Sequence, residues 1–489
     1  MDEIILFFYI FSLTVLLLFA SHGYIMLYYH RKYQKNIPKE NSSVNEDKVV
    51  TVQLPLYNEF YVAERLINTV CEIDYPKNNL EIQVLDDSID ETVEIVASIV
   101  EKKKKEGFNI YHIRRGNREG FKAGALKEGL KTAQGQYIAI FDADFMPKPD
   151  FLKKTLKYFS NQKVGMIQTR WEHLNEDYSL LTKVQALALN GHFVIEQTVR
   201  NKAGFFINFN GTGGIWKREC IEDSGNWQTD TLTEDLDLSY RAQLKGWKFI
   251  FLRDFTTPAE LPSEMNALKA QQFRWTKGAI ETAKKLLPKV WKSNLPFRVK
   301  IQCTFHLTNN IVFPFILIAG ILNVPLVFIK NSGPYDSFFN FMSIFVLAFV
   351  SSFLFYLYAQ KDIVDDWRKR IALFPIFMAG SMGFAVNNTR AVIEGLMSRK
   401  SEFIRTPKFK VVGQSDAFVK NKYLSTIKLD SSAFVELILS VYCFVGVAAS
   451  VYFMEIAALP FQLMFFFGFG CVSLLSFKHT VFKKPKALH

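Results

Sequence analysis

Long apolar segments near the two ends of the chain constrain its fold more than any other feature. Residues 4–28 form one such segment, and the others lie after residue 300. A helix needs about 20 consecutive apolar residues to cross a bilayer, and these segments are long enough. Charged residues still make up 22% of the 489 residues and are concentrated between the segments. The sequence therefore predicts a water-exposed domain between membrane helices.

Five of the apolar segments are predicted to cross the membrane. They lie at 4–28, 302–329, 338–360, 431–453 and 457–477. The stretch 371–397 is apolar at its start but contains Arg390 and Glu394, and charged groups deep in lipid are expensive. We expect it to lie at the interface as an amphipathic or re-entrant helix, because every basic flank then stays on one side of the membrane.

Basic residues flank the apolar segments and predict their orientation. The net charge is +12 at pH 7, and much of it lies at 28–35, 365–370 and 482–486. Because cytoplasmic flanks carry an excess of Lys and Arg, we expect the N-terminus outside and residues 30–300 in the cytoplasm. Such flanks also meet anionic lipid heads. The basic charge therefore predicts the lipid bilayer, and no nucleic acid, as a partner.

Strands and helices alternate between residues 48 and 260. Strands are predicted at 49–59, 81–88, 108–115 and 137–144. Buried apolar strands that alternate with helices are typical of an α/β fold, in which helices cover both faces of a mostly parallel sheet. Ligands of such sheets bind beyond the carboxyl ends of the strands.

Three of these strands end in polar residues, among them Glu59, Asp87, Asp142 and Asp144. Side chains alternate along a strand, so Asp142 and Asp144 are expected to point the same way. Paired carboxylates suit Mg²⁺ or Mn²⁺, which proteins commonly share with substrate phosphates. The sequence contains no GxxxxGK[ST] phosphate loop, which argues against a P-loop ATPase. A nucleotide diphosphate is therefore predicted at this edge, together with the cation.

A second group of acids opens the helix predicted at 232–247. Thr233 is a plausible N-cap, and Glu234, Asp235 and Asp237 follow it. Acids favour a helix N-terminus for electrostatic reasons alone, so the group by itself is open to that interpretation. Beside the aspartates of the sheet edge, Asp235 becomes a candidate general base.

The amphipathic segment 262–288 contains "QQFRW" at 271–275. Arg274 could hold a phosphate, and Trp275 could stack on a sugar ring. A membrane-interface helix with a snorkelling Arg and an interfacial Trp is the other interpretation. The two can hold at once.

Taken in order, "DDS", "DAD", "TED" and "QQFRW" resemble the D, D×D, ED and Q××RW motifs of processive family 2 glycosyltransferases, which include cellulose, chitin and hyaluronan synthases. The sequences at 209–227 and 244–252 resemble the cellulose-synthase-like branch that makes plant mannan and β-glucan backbones. "FIRTPK" at 403–408 resembles the gating loop of cellulose synthases, with Arg405 where the family has Val.

The resemblance implies a GT-A (Rossmann-like) domain that transfers sugar with inversion at the anomeric carbon. It implies polymerisation of a β-linked glucan or mannan from a UDP- or GDP-hexose and export of the growing polysaccharide, with a place for an accessory export subunit. The catalytic domain would be cytoplasmic, and the membrane would be the plasma membrane if the cell is bacterial or archaeal. The alternative is a single addition to a lipid acceptor such as ceramide, because those enzymes share much of the signature.

The resemblance also implies a role for each matching residue. Asp235 would be the base, with Glu234 beside it as the second catalytic acid. Asp144 would bind the metal together with Asp142. The residues implied for nucleotide-sugar binding are Tyr57, Glu59, Asp87, Lys122, Asp142, Gln271, Arg274, Thr406 and Lys408. Those implied for acceptor binding are Trp275, Gly211 and Thr212.

We therefore expect a GT-A domain inserted between about five membrane helices, with interfacial helices beside them. The predicted parts are a first membrane helix (1–30), the GT-A domain (48–260), an amphipathic interfacial segment (262–300), a membrane hairpin (301–360), an interfacial helix with a gating-type loop (371–410), a second hairpin (431–477) and a basic cytoplasmic tail (478–489).

Overall fold

The computed structural model describes residues 1–33, 35–36, 47–399, 408 and 429–481. One seven-stranded sheet organises the middle of the chain. Its strands are β1 (Val50–Leu56), β2 (Leu80–Asp86), β3 (Asn109–Ile113), β4 (Tyr137–Ile140), β5 (Val164–His173), β6 (Gly214–Lys217) and β7 (Lys248–Ala259). Their order is β3-β2-β1-β4-β6-β5-β7, and only β6 runs antiparallel to its neighbours. The predicted α/β class is confirmed, and β5 to β7 were not predicted.

Two apolar cores cover the two faces of this sheet. The helices against it are α2 (Ala63–Cys71), α3 (Thr92–Lys105), α4 (Phe121–Thr132), α5 (Phe151–Leu156), α6 (Leu180–Asn190), α7 (Thr198–Lys202), α8 (Arg218–Asp223) and α9 (Glu234–Leu244). Tyr137 and Ala139 of β4 pack in the core with α2 and α3, whereas Ile138 and Ile140 pack in the core with α4 and α9. Burial of an aliphatic side chain contributes about 1.5–3 kcal/mol to the stability of the folded state. A slip by one residue would exchange the side chains between the two cores, so the alternation fixes the register of the strand.

Within the described part of the chain, five helical segments are long and apolar enough to cross a membrane, by length and composition. They are Asp2–Tyr33, Phe297–Ser332, Asp336–Lys361, Ser432–Tyr452 and Leu459–Thr480. The pair Trp367–Gly383 and Ala385–Leu396 passes the same test only when taken together, and it is bent by 47°. The number of candidate membrane helices agrees with the prediction, and the interfacial position of residues 371–397 stays a prediction.

One long helix, α10 (Met265–Lys292), joins the sheet domain to the bundle. The other helices are α1 (Asp2–Tyr33), α11 (Phe297–Thr308), α12 (Val312–Ser332), α13 (Asp336–Met342), α14 (Val346–Lys361), α15 (Trp367–Ile371), α16 (Phe374–Gly383), α17 (Ala385–Leu396), α18 (Ser432–Tyr452) and α19 (Leu459–Val481). Lys269 of α10 pairs with Glu436 of α18 at 2.8 Å, and both side chains are almost fully buried. Lys277 pairs with Glu394 of α17 at 3.2 Å. Removing one member of a buried pair leaves an uncompensated charge, so these contacts tie α10 to the bundle.

Candidate active site

A cavity of about 190 Å³ lies beyond the carboxyl ends of β1, β2 and β4, and α10 forms part of its wall. Among the described residues, seven carboxylates and four basic side chains line it. The acids are Glu59, Asp87, Asp142, Asp144, Glu234, Asp235 and Glu260, and the bases are Arg118, Lys122, Arg274 and Lys408. All the predicted site residues that the structure describes line this cavity except Thr212. The fold thus gathers polar groups that are more than 300 residues apart in the chain.

The two aspartates of "DAD" follow β4 instead of ending it. The strand stops at Ile140, not at residue 144 as predicted, because the backbone N–H of Asp142 donates to the hydroxyl of Thr212 at 2.8 Å and not to a neighbouring strand. Their carboxylates contact different partners. Lys122 Nζ lies 2.5 Å from Asp142 Oδ1, and Lys408 Nζ lies 2.7 Å from Asp144 Oδ2. Because both aspartates lie beyond the strand, the alternation of a pleated strand does not set a common direction for their side chains.

The surroundings of Asp144 fit a divalent cation. Its side chain is only 3% exposed. Burial would lower the pKa of Lys408, but Asp144, Glu59 and Glu260 outweigh it and raise that pKa. These three carboxylates thus stabilise the ammonium group of Lys408. Carboxylate oxygens are also the hard donors that Mg²⁺ and Mn²⁺ prefer. Among the described residues, no group of three or more His, Cys, Asp or Glu is arranged so that it could hold a metal ion by itself.

Two arginines that were not predicted lie beside the predicted nucleotide-binding residues Asp87 and Tyr57, and Arg118 also lines the cavity. Arg115 forms a two-pronged ion pair with Asp87, with Nε 2.9 Å from Oδ1. The guanidinium of Arg118 lies over the ring of Tyr57, 3.3 Å from its centroid. Both arginines belong to the basic run "RRGNR" after β3. Its position at the same sheet edge as Asp87 was the signal that could have revealed them.

The acids at the start of α9 do not share one environment. Glu234 and Asp235 line the cavity. Asp237 is fully buried and pairs with Arg241 at 2.7 Å and with Lys285 at 2.8 Å. Thr233 occupies the N-cap position, but its side chain makes no capping hydrogen bond. The capping interpretation, which treats the three acids alike, therefore does not describe this helix.

Burial controls the protonation of the cavity acids. It is the main cause that raises the pKa of Asp235 to about 7, and the negative charge of Glu234 adds to it. The backbone N–H of Leu236 donates to Asp235 Oδ1 at 2.8 Å and lowers the pKa, but by less. Burial also raises the pKa of Glu234. The opposing effect of the helix N-terminus is thus outweighed, and Asp235 is suited to take up a proton near neutral pH.

The "FNGTGG" loop at 209–214 brings backbone close to the candidate base. Gly211 has φ of 79°, and a Cβ there would lie 3.1 Å from Asp235 Oδ2, so a side chain would crowd that carboxylate. Thr212 is 1% exposed and lies behind the cavity, where its hydroxyl accepts from Asp142. Thr212 thus contacts Asp142 and does not line the cavity, and its predicted contact with the acceptor stays a prediction. Asn210 lines the cavity and was not predicted.

The helix α10 contributes Gln271, Arg274 and Trp275 to the wall of the cavity. Burial lowers the pKa of Arg274, and the nearby acids oppose this, with Glu234 the strongest of them. These contacts favour the interpretation in which "QQFRW" serves the cavity. Thr406, which was predicted to bind the nucleotide sugar, lies outside the described residues.

A second and larger cavity, of about 630 Å³, lies inside the helix bundle. Apolar side chains of α1, α12, α14, α16 and α19 form most of its wall. Its polar groups include Glu196 and Arg200 from the sheet domain, and Lys330 and Glu455, which pair with each other where α12 ends. The bundle is therefore hollow, with charged groups close to the sheet domain and at the far end of α12.

Known proteins resemble this chain over much of its length. The model of the family "Glycosyltransferase like family 2" matches residues 47–278. Glucomannan 4-beta-mannosyltransferase 7 of Arabidopsis thaliana is 43% identical over 250 residues, which are 50% of this chain and 45% of that protein. Probable glucomannan 4-beta-mannosyltransferase 10 of the same plant is 34% identical over 417 residues, which are 82% of this chain and 71% of that protein. The first match thus spans about half of the plant enzyme.

The fold has a solved counterpart. A structure described as the mannosyltransferase PcManGT from Pyrobaculum calidifontis in complex with GDP-Man and Mn²⁺ matches with a TM-score of 0.55 and 18% identity, over 80% of this chain and all of that one. At this identity the match supports the fold alone, and it confirms the predicted GT-A architecture. With the long match to the plant protein, the chain belongs to glycosyltransferase family 2, on the cellulose-synthase-like branch that includes the glucomannan 4-β-mannosyltransferases.

Proposed function

We propose that this protein is an inverting glycosyltransferase that extends a β-linked mannan or glucan from a nucleotide-diphosphate sugar and passes the chain through its membrane helices. One observation carries the proposal. The acids and bases expected of such an enzyme converge on one cavity at the sheet edge, and a larger cavity runs inside the adjoining helix bundle.

The donor would bind along the charged wall of the sheet-edge cavity. Asp87 and Tyr57 lie where β1 and β2 end and would hold the nucleotide, while Lys122 and Arg274 would hold the diphosphate, because ammonium and guanidinium groups are strong partners for phosphate oxygens. When bound at Asp144, a divalent cation supplies Lewis-acid stabilisation of the leaving diphosphate. Lys408 and Lys122 then compensate the remaining charge of the two aspartates.

The acceptor hydroxyl would be deprotonated by Asp235. Its raised pKa, about 7, makes this carboxylate a better base than an exposed aspartate. The hydroxyl oxygen attacks the anomeric carbon on the face opposite the diphosphate, the bond to the diphosphate breaks, and the configuration inverts. Trp275 would stack on the sugar ring of the acceptor.

We favour GDP-mannose as the donor, with Mn²⁺ or Mg²⁺ as the cation. The printed activities of the relatives support mannose. A protein of the same fold, PcManGT, is described in complex with GDP-Man and Mn²⁺, and we extend that nucleotide and cation to this chain as part of the proposal. The basic flanks support a cytoplasmic sheet domain, with the N-terminus outside.

The alternative of a single addition to a lipid acceptor is less well supported. A transferase that adds one sugar at the membrane surface needs no passage between its helices. The relatives also favour polymerisation, because their printed activity is that of glucomannan mannosyltransferases, and the bundle cavity of about 630 Å³ gives a growing chain room beside the catalytic cavity.

The test is to incubate the purified full-length protein with a panel of radiolabelled GDP- and UDP-sugars, with Mn²⁺, with Mg²⁺ or with EDTA. We expect a polymer from GDP-mannose that a β-mannanase digests, and no polymer with EDTA. A product that carries one sugar on a lipid would overturn the polymerase proposal, and full turnover in EDTA would overturn the assignment of a cation to Asp144.

A further inference from the structure

The turn between α10 and α11 exposes two aromatic side chains at the start of a candidate membrane helix. The candidate segment Phe297–Ser332 begins directly after this turn. Trp291, in the last turn of α10, is 41% exposed, and Phe297 is 69% exposed. Their rings meet edge to face, with centroids 6.0 Å apart. Because Trp is enriched at membrane–water interfaces, this pair is suited to the level at which the chain enters the bilayer.

Three basic side chains adjoin the aromatic pair in the chain. Lys289, Lys292 and Arg298 are exposed, and none of them has a hydrogen bond or an ion pair with the residues that the structure describes. The sequence contains no Asp or Glu between Glu281 and Asp336. The local positive charge is therefore not compensated from within this part of the chain.

Contacts between α10 and α11 hold the turn in place. Lys300 Nζ donates to the carbonyl oxygen of Trp291 at 2.9 Å, and Trp291 Nε1 donates to the hydroxyl of Thr304 at 3.1 Å. Val290 and Val299, one from each helix, are buried in the same apolar core. The exposed basic and aromatic side chains are therefore attached to a fixed piece of backbone.

We propose that this basic–aromatic corner, made of Lys289, Trp291, Lys292, Phe297 and Arg298, binds the headgroups of anionic phospholipids in the leaflet next to the sheet domain. Ammonium and guanidinium groups are strong hydrogen-bond partners for phosphate oxygens, and Lys and Arg clustered beside a membrane helix attract anionic lipids. A bilayer accepts the charges and the rings together, which an acidic partner in solution would not. The proposal requires only that Phe297–Ser332 enters a bilayer, and it does not rest on the proposed function.

The experiment uses the purified full-length protein in phosphatidylcholine vesicles. These contain increasing fractions of a phosphatidylglycerol that carries a photoactivatable group next to its phosphate, and cross-links are mapped by mass spectrometry. We expect cross-links within residues 286–300, and more of them than with a phosphatidylcholine that carries the same group. Cross-links to the basic flank at 28–35 serve as the internal reference.

The main variant combines Lys289→Gln, Lys292→Gln and Arg298→Gln. Each basic side chain near an anionic surface contributes about fivefold to binding, so the half-saturating fraction of phosphatidylglycerol at 286–300 should rise about 100-fold. Arg298→Gln alone should raise it about fivefold, and this variant decides the matter if the triple variant does not fold.

A matched variant removes the same charge from another helix. Lys102→Gln, Lys104→Gln and Lys105→Gln together replace three exposed lysines of α3, which packs in the core of the sheet domain. Cross-linking at 286–300 should keep its wild-type value in this variant, because α3 adjoins no candidate membrane helix in the chain.

Three outcomes would overturn the proposal. Equal cross-linking by the phosphatidylglycerol and the phosphatidylcholine in wild-type protein would indicate contact with lipid that does not depend on charge. An equal loss in the α3 variant would indicate an effect of net charge alone. An absence of cross-links at 286–300 in wild-type protein would place the corner in water, where an acidic protein could be its partner. Sugar transfer by the same vesicles is measured separately, so none of these outcomes decides the proposed function.

Discussion

The cavity at the sheet edge holds about 190 Å³ and the cavity in the helix bundle about 630 Å³, and their walls differ as much as their sizes. The smaller one is crowded with carboxylates, lysines and arginines, and the carboxylates outnumber the basic groups among the described residues. The larger one is mostly apolar, with a few polar groups. Charged groups concentrated in a small volume can stabilise the charge that develops during a reaction. A wide and weakly polar cavity, in contrast, would bind no single unit of a neutral polymer strongly. Under the proposed function, chemistry would take place in the smaller cavity and passage of the product would take place through the larger one.

Replacing the candidate base should have the largest effect and should alter the small cavity alone. Asp235→Asn removes the proton acceptor, and loss of a general base costs about 10²- to 10⁴-fold in turnover. The measurement is the initial rate of sugar incorporation together with the Kd of the nucleotide sugar, which we expect to be retained. Asp237→Asn is the control in the same helix. Equal, mild losses of the initial rate in the two variants would indicate that both acids have structural roles.

Breaking the connection between the two regions should have the next largest effect. Lys269→Met leaves Glu436 buried without a partner, and such losses cost about 3–5 kcal/mol of the free energy of unfolding. Thermal unfolding in detergent measures it, and Lys269→Met with Glu436→Met should recover most of the stability. The control is Lys153→Met, which removes an exposed pair with Asp74 and should cost less than about 1 kcal/mol. A similar cost in the two single variants would contradict the coupling.

The small cavity should also respond to pH through Asp235. The base works only as a carboxylate, so transfer should fall about tenfold for each pH unit below its pKa, which is about 7, and should level off above it. Because the pKa of the folded protein is raised above 3.8, the carboxyl contributes to stability at low pH, and the contribution is lost as pH rises toward 7. A pH–rate profile measures the first effect.

Asp235→Asn provides the control for this pH dependence. Its thermal midpoint relative to wild type should increase between pH 5 and pH 8, since the variant has no carboxyl to ionise. A difference in thermal midpoint that does not change over this range would show that Asp235 titrates normally.

Narrowing the large cavity should have the smallest effect on sugar incorporation and should act on product length. Ser352 lines the cavity from α14, and Ser352→Trp should shorten the polymer several-fold while the first sugars are still added. Val350 of the same helix is 37% exposed and does not line the cavity, so Val350→Trp is the control. Size-exclusion chromatography of labelled product measures the length. Equal shortening in both variants would count against passage through the bundle.

The sequence predicted the charged cavity better than the hollow bundle. Asp87, Asp142 and Asp235 each lie in a short motif at the end of a strand or the start of a helix, and the topology of a parallel sheet brings such ends together. Asn210 was missed because no periodicity connects this loop residue with the sheet-edge residues beside which it lines the cavity. β6 was missed because four residues after a glycine-rich loop carry little pattern.

The cavity in the bundle was harder to predict. The length of an apolar segment indicates that a helix can cross the membrane, but it does not indicate which of its side chains line a cavity between helices. Ser352 and Val350 are two residues apart in one apolar stretch, yet one lines the cavity and the other is exposed on the outside of the bundle. The helical segment predicted at 262–288 was correct in kind, but its buried lysines gave no sign of their partners on α17 and α18. Such pairs follow from packing and not from local sequence.

The pairing of Lys269 with Glu436 also constrains the order in which the protein becomes active during synthesis. α10 leaves the ribosome well before α18, and until Glu436 is in place the ammonium of Lys269 lacks its buried counter-charge. We therefore expect the helix that carries Arg274 and Trp275 to dock most stably against the sheet edge after the last hairpin has inserted. Under the proposed function, transfer would then begin only once the helix bundle is complete.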